Sequence, residues 1–107
     1  MAKLKKNATL KDLQKYVMDI CIERGWDKDT HLEKVMLLCE EVGELVKAVR
    51  QNSALYKERG RRNKRFKLEE EFADVLSYII DLANYFNVDL EKAFRKKEKI
   101  NRKRIWK

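Results

Sequence analysis

The sequence has no proline and only three glycines among its 107 residues. β-Sandwiches and barrels need frequent turn residues, so this scarcity excludes them. Long apolar runs are also missing. No stretch approaches the roughly 20 apolar residues that span a bilayer, and residues 1–10 carry charge without the apolar segment of a secretion signal. Of the two cysteines, Cys21 and Cys39, neither belongs to a CxxC pair. They are expected as reduced, buried thiols in a cytoplasmic protein rather than as a disulfide.

Charged residues make up 41% of the chain and hydrophobic ones 44%. That balance excludes a disordered chain and matches the composition of an all-helical protein. The length predicts one domain over residues 1–107 that buries roughly two-thirds of its unfolded surface. The net charge of +8 is unevenly spread. Bases crowd residues 57–67 and 91–107, with Lys3, Lys5 and Lys6 at the start, and the remainder is net acidic. Such segregation points to a polyanionic partner.

Apolar periodicity predicts four helices and hence an all-α, four-helix bundle assembling through helix–helix interfaces. The first runs over 9–24, with Thr9 and Asp12 in a capping-box arrangement and Gly25 as its stop. Its stripe is Leu10, Leu13, Val17, Ile20 and Cys21. The second, over 30–51, has Val35, Leu38, Val42, Leu45 and Val49 on its apolar face. Residues 52–67 read as a long polar connection, of a length often used for a lid. The third, over 68–86, is apolar over much of its circumference through Phe72, Val75, Leu76, Ile79, Leu82, Ala83 and Phe86. Part of it is therefore expected in a subunit interface. The fourth, over 89–104, begins at the N-cap Asp89.

Acids border these apolar stripes. Glu41 and Glu44 lie about 60° apart around the second helix, and Glu71 and Asp74 repeat that spacing on the third. Four carboxylates around one point repel and resist desolvation, so a cation must compensate. Oxygen donors suit Mg²⁺ or Mn²⁺. The competing reading is ordinary interhelical salt bridging. A di-iron site fails on ligand count, because it needs two Glu-x-x-His motifs and the chain has one histidine, His31.

Glu41-x-x-Glu44, preceded by Glu40, and then Glu71-x-x-Asp74 resemble the paired acidic motifs of the MazG-like nucleoside triphosphate pyrophosphohydrolases. The junction 87–94, the basic run 99–104 and Gly25-Trp26-Asp27 are similar to the segments flanking those motifs. The resemblance covers residues 10–104. It implies Mg²⁺-dependent hydrolysis of a nucleoside triphosphate, a dNTP or a noncanonical NTP, to the monophosphate and pyrophosphate. It also implies a homodimer or homotetramer and a house-cleaning role. Glu41, Glu44, Glu71 and Asp74 would then hold the metal, which draws charge from the phosphoryl group and acidifies a bound water.

On that reading Glu40 orients the water or pairs with a base. Lys97, Asn101 and Arg104 recur at three- and four-residue steps and form a face for the triphosphate. Trp26 is the aromatic candidate for stacking on the base, and His31 is a candidate hydrogen-bond donor to it. Tyr78 and Asp81 are secondary candidates beside the acids. Phosphoribosyl-ATP pyrophosphohydrolase is the alternative enzyme. A basic nucleic-acid-binding module would explain the charge, but no helix-turn-helix, zinc or RNP signature supports it. Neither nucleic acid nor membrane is an expected partner. In a plain helical oligomerisation domain the acids would be salt bridges only.

Overall fold

The computed structural model describes residues 1–53 and 64–104. These form α1 (Leu10–Glu23), a 3₁₀ turn (Trp26–Lys28), α2 (His31–Asn52), α3 (Lys64–Tyr85) and α4 (Leu90–Lys103). There is no strand among the described residues, so the class is the all-α one expected. The chain forms two compact units, one of Met1–Lys28 with Ile80–Lys107 and the other of Asp29–Ile79.

In the first unit, α1 starts as its sequence dictates. The Thr9 hydroxyl accepts from the Asp12 backbone N–H at 3.1 Å, and the Asp12 carboxylate accepts from the Thr9 N–H at 3.0 Å. This capping box satisfies two N–H groups, one of them an orphan of the first turn. It holds the Asp12 carboxyl below its ordinary range, chiefly through the Thr9 backbone and hydroxyl, with Lys5 adding to it. The stop is Gly25 at φ 75°, a left-handed conformation that suits glycine.

Asn87 ends α3 in the same left-handed region, at φ 56°. Its N–H donates to the Asn84 carbonyl at 3.1 Å, and the Val88 N–H donates to that of Ala83 at 2.9 Å. This is the paired bonding of a Schellman motif. Two residues later Asp89 caps α4, accepting from the Lys92 N–H.

Gln14 ties these ends together. Its amide donates to the Val88 carbonyl at 2.8 Å, and its oxygen accepts the Leu90 N–H at 3.0 Å. Leu90 opens α4, so Gln14 satisfies one of that helix's orphan donors. Beneath lies a small core of Val17, Cys21 and Ile80, with Leu13 and Leu90 against it. Each such side chain contributes about 1.5–3 kcal/mol when fully buried.

The second unit holds α2 and α3 as far as Ile79. Expectations are corrected here in two respects, burial and the start of α3. First, the stripe of α2 is not enclosed. Val35, Val42 and Val49 stay exposed, and the buried α2 side chains are Lys34, Ala48 and Gln51. Phe72, Leu76 and Ile79 of α3 are likewise exposed. Cys39, expected to be buried, is exposed while Cys21 is buried. Second, α3 begins at Lys64, four residues before the expected start. A basic first turn opposes the helix dipole, but Lys67 finds acids one turn on at Glu70 and Glu71. Residues 57–63 of the basic segment, where a lid over the phosphates was envisaged, lie outside the described residues.

Candidate functional site

The second unit gathers acids from two helices. Glu41 comes from α2, and Glu71 and Asp74 from successive turns of α3. Each contributes a carboxylate oxygen to a group in which all lie within 4.8 Å of one another. The three-residue step from Glu71 to Asp74 places both on one face of α3.

Burial differs sharply across the group. Glu71 is 2% exposed, Glu41 is half-buried and Asp74 is exposed. Lys67 Nζ lies 2.7 Å from Glu71 Oε1. The other oxygen, Oε2, is buried and has no hydrogen-bond partner among the described residues. A buried carboxylate oxygen left unpaired costs at least 1–3 kcal/mol, roughly, unless a cation or proton meets it.

Glu41 registers the same strain. Burial raises its carboxyl above the ordinary range, and the Asp74 charge raises it further. A hydrogen bond with Glu71 and the charges of Glu71 and Glu40 act in the same direction. The group therefore holds more negative charge than its surroundings compensate.

A hard divalent cation fits this donor set. All the donors are oxygens, as Mg²⁺ and Mn²⁺ prefer. Glu71 Oε2, buried and without a hydrogen-bond partner among the described residues, would be one ligand of such an ion.

The remaining candidates are placed as follows. Glu44 is exposed, one turn beyond Glu41 on α2 and outside the group of three, though its charge acts on the Lys67 ammonium. Glu40 is exposed beside Glu41, and His31 is exposed as the first residue of α2. Tyr78 is half-buried on α3.

The other candidates belong to the first unit. Trp26 opens the 3₁₀ turn with 48% of its surface exposed, and the Arg24 guanidinium stands 5.0 Å over its ring. The ring is thus presented to solvent rather than capping a core. Lys97 and Asn101 lie on α4, exposed and half-buried respectively, and Arg104 is its C-cap. Asp81 accepts from the Cys21 thiol at 3.6 Å. Sequence reasoning placed Lys67 only in the basic segment 57–67, a candidate to close over the phosphates, and missed its contact with Glu71. The Lys67–Glu71 spacing of four was the signal, and it has meaning only on a helix.

A family model of the MazG nucleotide pyrophosphohydrolase domain matches residues 29–105. The chain is 33% identical over 91 residues to YvdC, an uncharacterised protein of Bacillus subtilis, covering 80% of this chain and 86% of that one. It is 32% identical over 99 residues to dCTP pyrophosphatase 1 of Rattus norvegicus, covering 90% of this chain and 58% of the rat protein. The matched span contains both acidic motifs and the helices that carry them. The chain belongs to the MazG family of nucleotide pyrophosphohydrolases.

Proposed function

We propose that the chain hydrolyses a nucleoside triphosphate to its monophosphate and pyrophosphate, using Mg²⁺ held by Glu41, Glu44, Glu71 and Asp74. Mn²⁺ would serve in its place. One observation carries this reading: oxygens of Glu41, Glu71 and Asp74 converge within 4.8 Å beside a buried Glu71 oxygen that no described residue satisfies. Glu44, one turn from Glu41, is the fourth donor.

The metal, when bound, supplies divalent charge that polarises phosphoryl oxygens. The chain's own groups do the rest. Glu41 and Glu71 present charge that burial keeps from being screened by water. Glu40, exposed beside them, accepts a hydrogen bond from the attacking water and orients it. Lys97, Asn101 and Arg104, by their spacing on α4, are the groups this reading offers for the phosphate charge. Trp26 is the group this reading offers for stacking on the base, and His31 the one for a hydrogen bond to its edge.

The substrate class in this reading is a dNTP or noncanonical NTP. The rat relative is named for dCTP, which puts dCTP first in any panel, with phosphoribosyl-ATP as the alternative. Residues 1–107 act as one catalytic domain. Exposed Val46, Val49, Phe72 and Leu76 support assembly into a homodimer or homotetramer, since apolar faces of this extent favour burial. Cys21 and Cys39, both present as thiols, support a reducing, cytoplasmic setting.

The test is pyrophosphate release over canonical and modified triphosphates, with and without Mg²⁺. Wild type should turn over only with metal, and Glu41→Ala and Asp74→Ala should lose at least about a hundredfold of that rate. Full turnover in either variant would end the assignment.

A further inference from the structure

Lys67 and Glu71 form an ion pair that differs from an ordinary surface contact. Its partners are four residues apart on α3, and the Nζ–Oε1 distance is 2.7 Å. In most helix-surface pairs both ends are solvated, and the pair contributes little. Here the Glu71 side chain is 3% exposed and the Lys67 side chain 48%. The ammonium therefore reaches into a buried acid group from a stem that remains in water. It also stands 3.9 Å from Glu70.

The pairing is one-sided. Lys67 engages Oε1 of Glu71, while Oε2 has no hydrogen-bond partner among the described residues. Oε1 is thus neutralised and Oε2 is left for another positive group. A divalent ion on Glu71 and an ammonium at hydrogen-bond range of the same carboxylate repel twice as strongly as two unit charges. Lys67 has somewhere to go. Its pair is made within one helix, so releasing it needs only side-chain rotation about a half-exposed, flexible stem. A lysine ammonium is a compact point charge suited to phosphate oxygens.

We propose that Lys67 is a displaceable counterion of the acid group: it holds Glu71 in the metal-free protein, and a divalent cation releases it to the phosphates of the substrate. The proposal rests on the reading of Glu41, Glu71 and Asp74 as a cation site. It adds an order of events. Metal loads first, and only then is the ammonium free to meet the triphosphate. Lys67 is thereby a positioning residue toward the metal and a binding residue toward the nucleotide.

The test is Mn²⁺ affinity of the full-length, nucleotide-free protein, measured by calorimetry and by the electron paramagnetic resonance signal of free Mn²⁺. Lys67→Met and Lys67→Gln should bind Mn²⁺ about tenfold more tightly than wild type, because a repelling charge is gone. Lys67→Arg should keep the wild-type affinity. In steady-state assays Lys67→Met and Lys67→Gln should raise KM for the triphosphate several-fold. Equal or weaker Mn²⁺ binding by both neutral variants would overturn the proposal, as would an unchanged KM. If wild type binds Mn²⁺, Glu41→Gln does not, and the neutral Lys67 variants match wild type, then the cation site stands and the counterion role falls. If wild type binds no Mn²⁺, both fall.

Discussion

Gln14 and Asn84 hold each other in a reciprocal pair: the Gln14 amide donates to Asn84 Oδ1 at 3.0 Å, and the Asn84 amide donates to the Gln14 backbone carbonyl at 2.9 Å. Since Gln14 also serves Val88 and the first N–H of α4, one side chain fixes how α1, the end of α3 and α4 meet. Gln14→Ala removes the bonds to the part-buried Asn84 side-chain oxygen and Leu90 N–H and to the Val88 carbonyl. It should lower stability by about 2–3 kcal/mol, in line with several unmet hydrogen bonds. Urea denaturation followed by circular dichroism measures this, and a loss below half a kilocalorie would remove Gln14 from that role.

The start of α1 carries a pH signature. The Asp12 carboxyl titrates below its unfolded value because Thr9 and Lys5 favour its charged form. A depressed folded pKa gives stability that is present above the unfolded pKa and is lost as pH falls through the folded one. Thr9→Ala should cost about 1 kcal/mol at neutral pH, as loss of an N-cap does. The gap between Asp12→Ala and wild type should narrow steadily as the medium is acidified below the ordinary aspartate range. Parallel melting curves at neutral and acid pH would decide it, and a constant gap would contradict the capping argument.

Glu41 should show the opposite balance between stability and function. Burial and the like charges of Asp74, Glu71 and Glu40 raise its carboxyl. A raised folded pKa means a contribution that is full below the unfolded pKa and is lost as pH rises through the folded one. At neutral pH the charged side chain is therefore a cost to the metal-free fold. Glu41→Gln should melt at or above the wild-type temperature without metal, and should lose the upward shift that Mn²⁺ gives wild type. Differential scanning calorimetry with and without Mn²⁺ reads both effects. A metal-free variant that melts well below wild type would show that the carboxylate stabilises the fold instead.

Phe72 is 56% exposed on α3, beside Leu76 at 46%. If these residues build a subunit contact, Phe72→Glu places a charge in it and should shift the sedimentation profile toward monomer at micromolar concentration. Burying an unpaired charge costs several kcal/mol, roughly, which is enough to dissociate a modest interface. An unchanged profile would move the contact elsewhere.

The caps and the stripe of α1 were legible because their signals are local. Thr9, Asp12, Gly25 and Asp89 each act within one turn, and Leu13, Val17 and Cys21 recur at the helical period. The paired acids were visible for the same reason, and three of the four named positions converge. What the residues did not reveal depends on context. The stripe of α2 has the period of a core helix, yet period alone does not say whether the covering surface lies in the same chain. Lys64 to Lys67 looked like connection because four residues rich in base lack an apolar repeat. The acids one turn ahead pair with Lys67 once that stretch is helical, a contact that a reading of it as connection hides. Gln14 gave no signal at all, since a glutamine on a polar flank looks the same whether it meets solvent or the Asn84 side chain and the Val88 and Leu90 backbone.

The converging oxygens are shared unequally, one from α2 and two from α3. An ion seated among them would staple the two helices as a crosslink does, at one height along each. Amide hydrogens around Glu41 and from Glu71 to Asp74 should then exchange with deuterium more slowly once Mn²⁺ is added. Those at the far start of α2, near His31, would feel little of it.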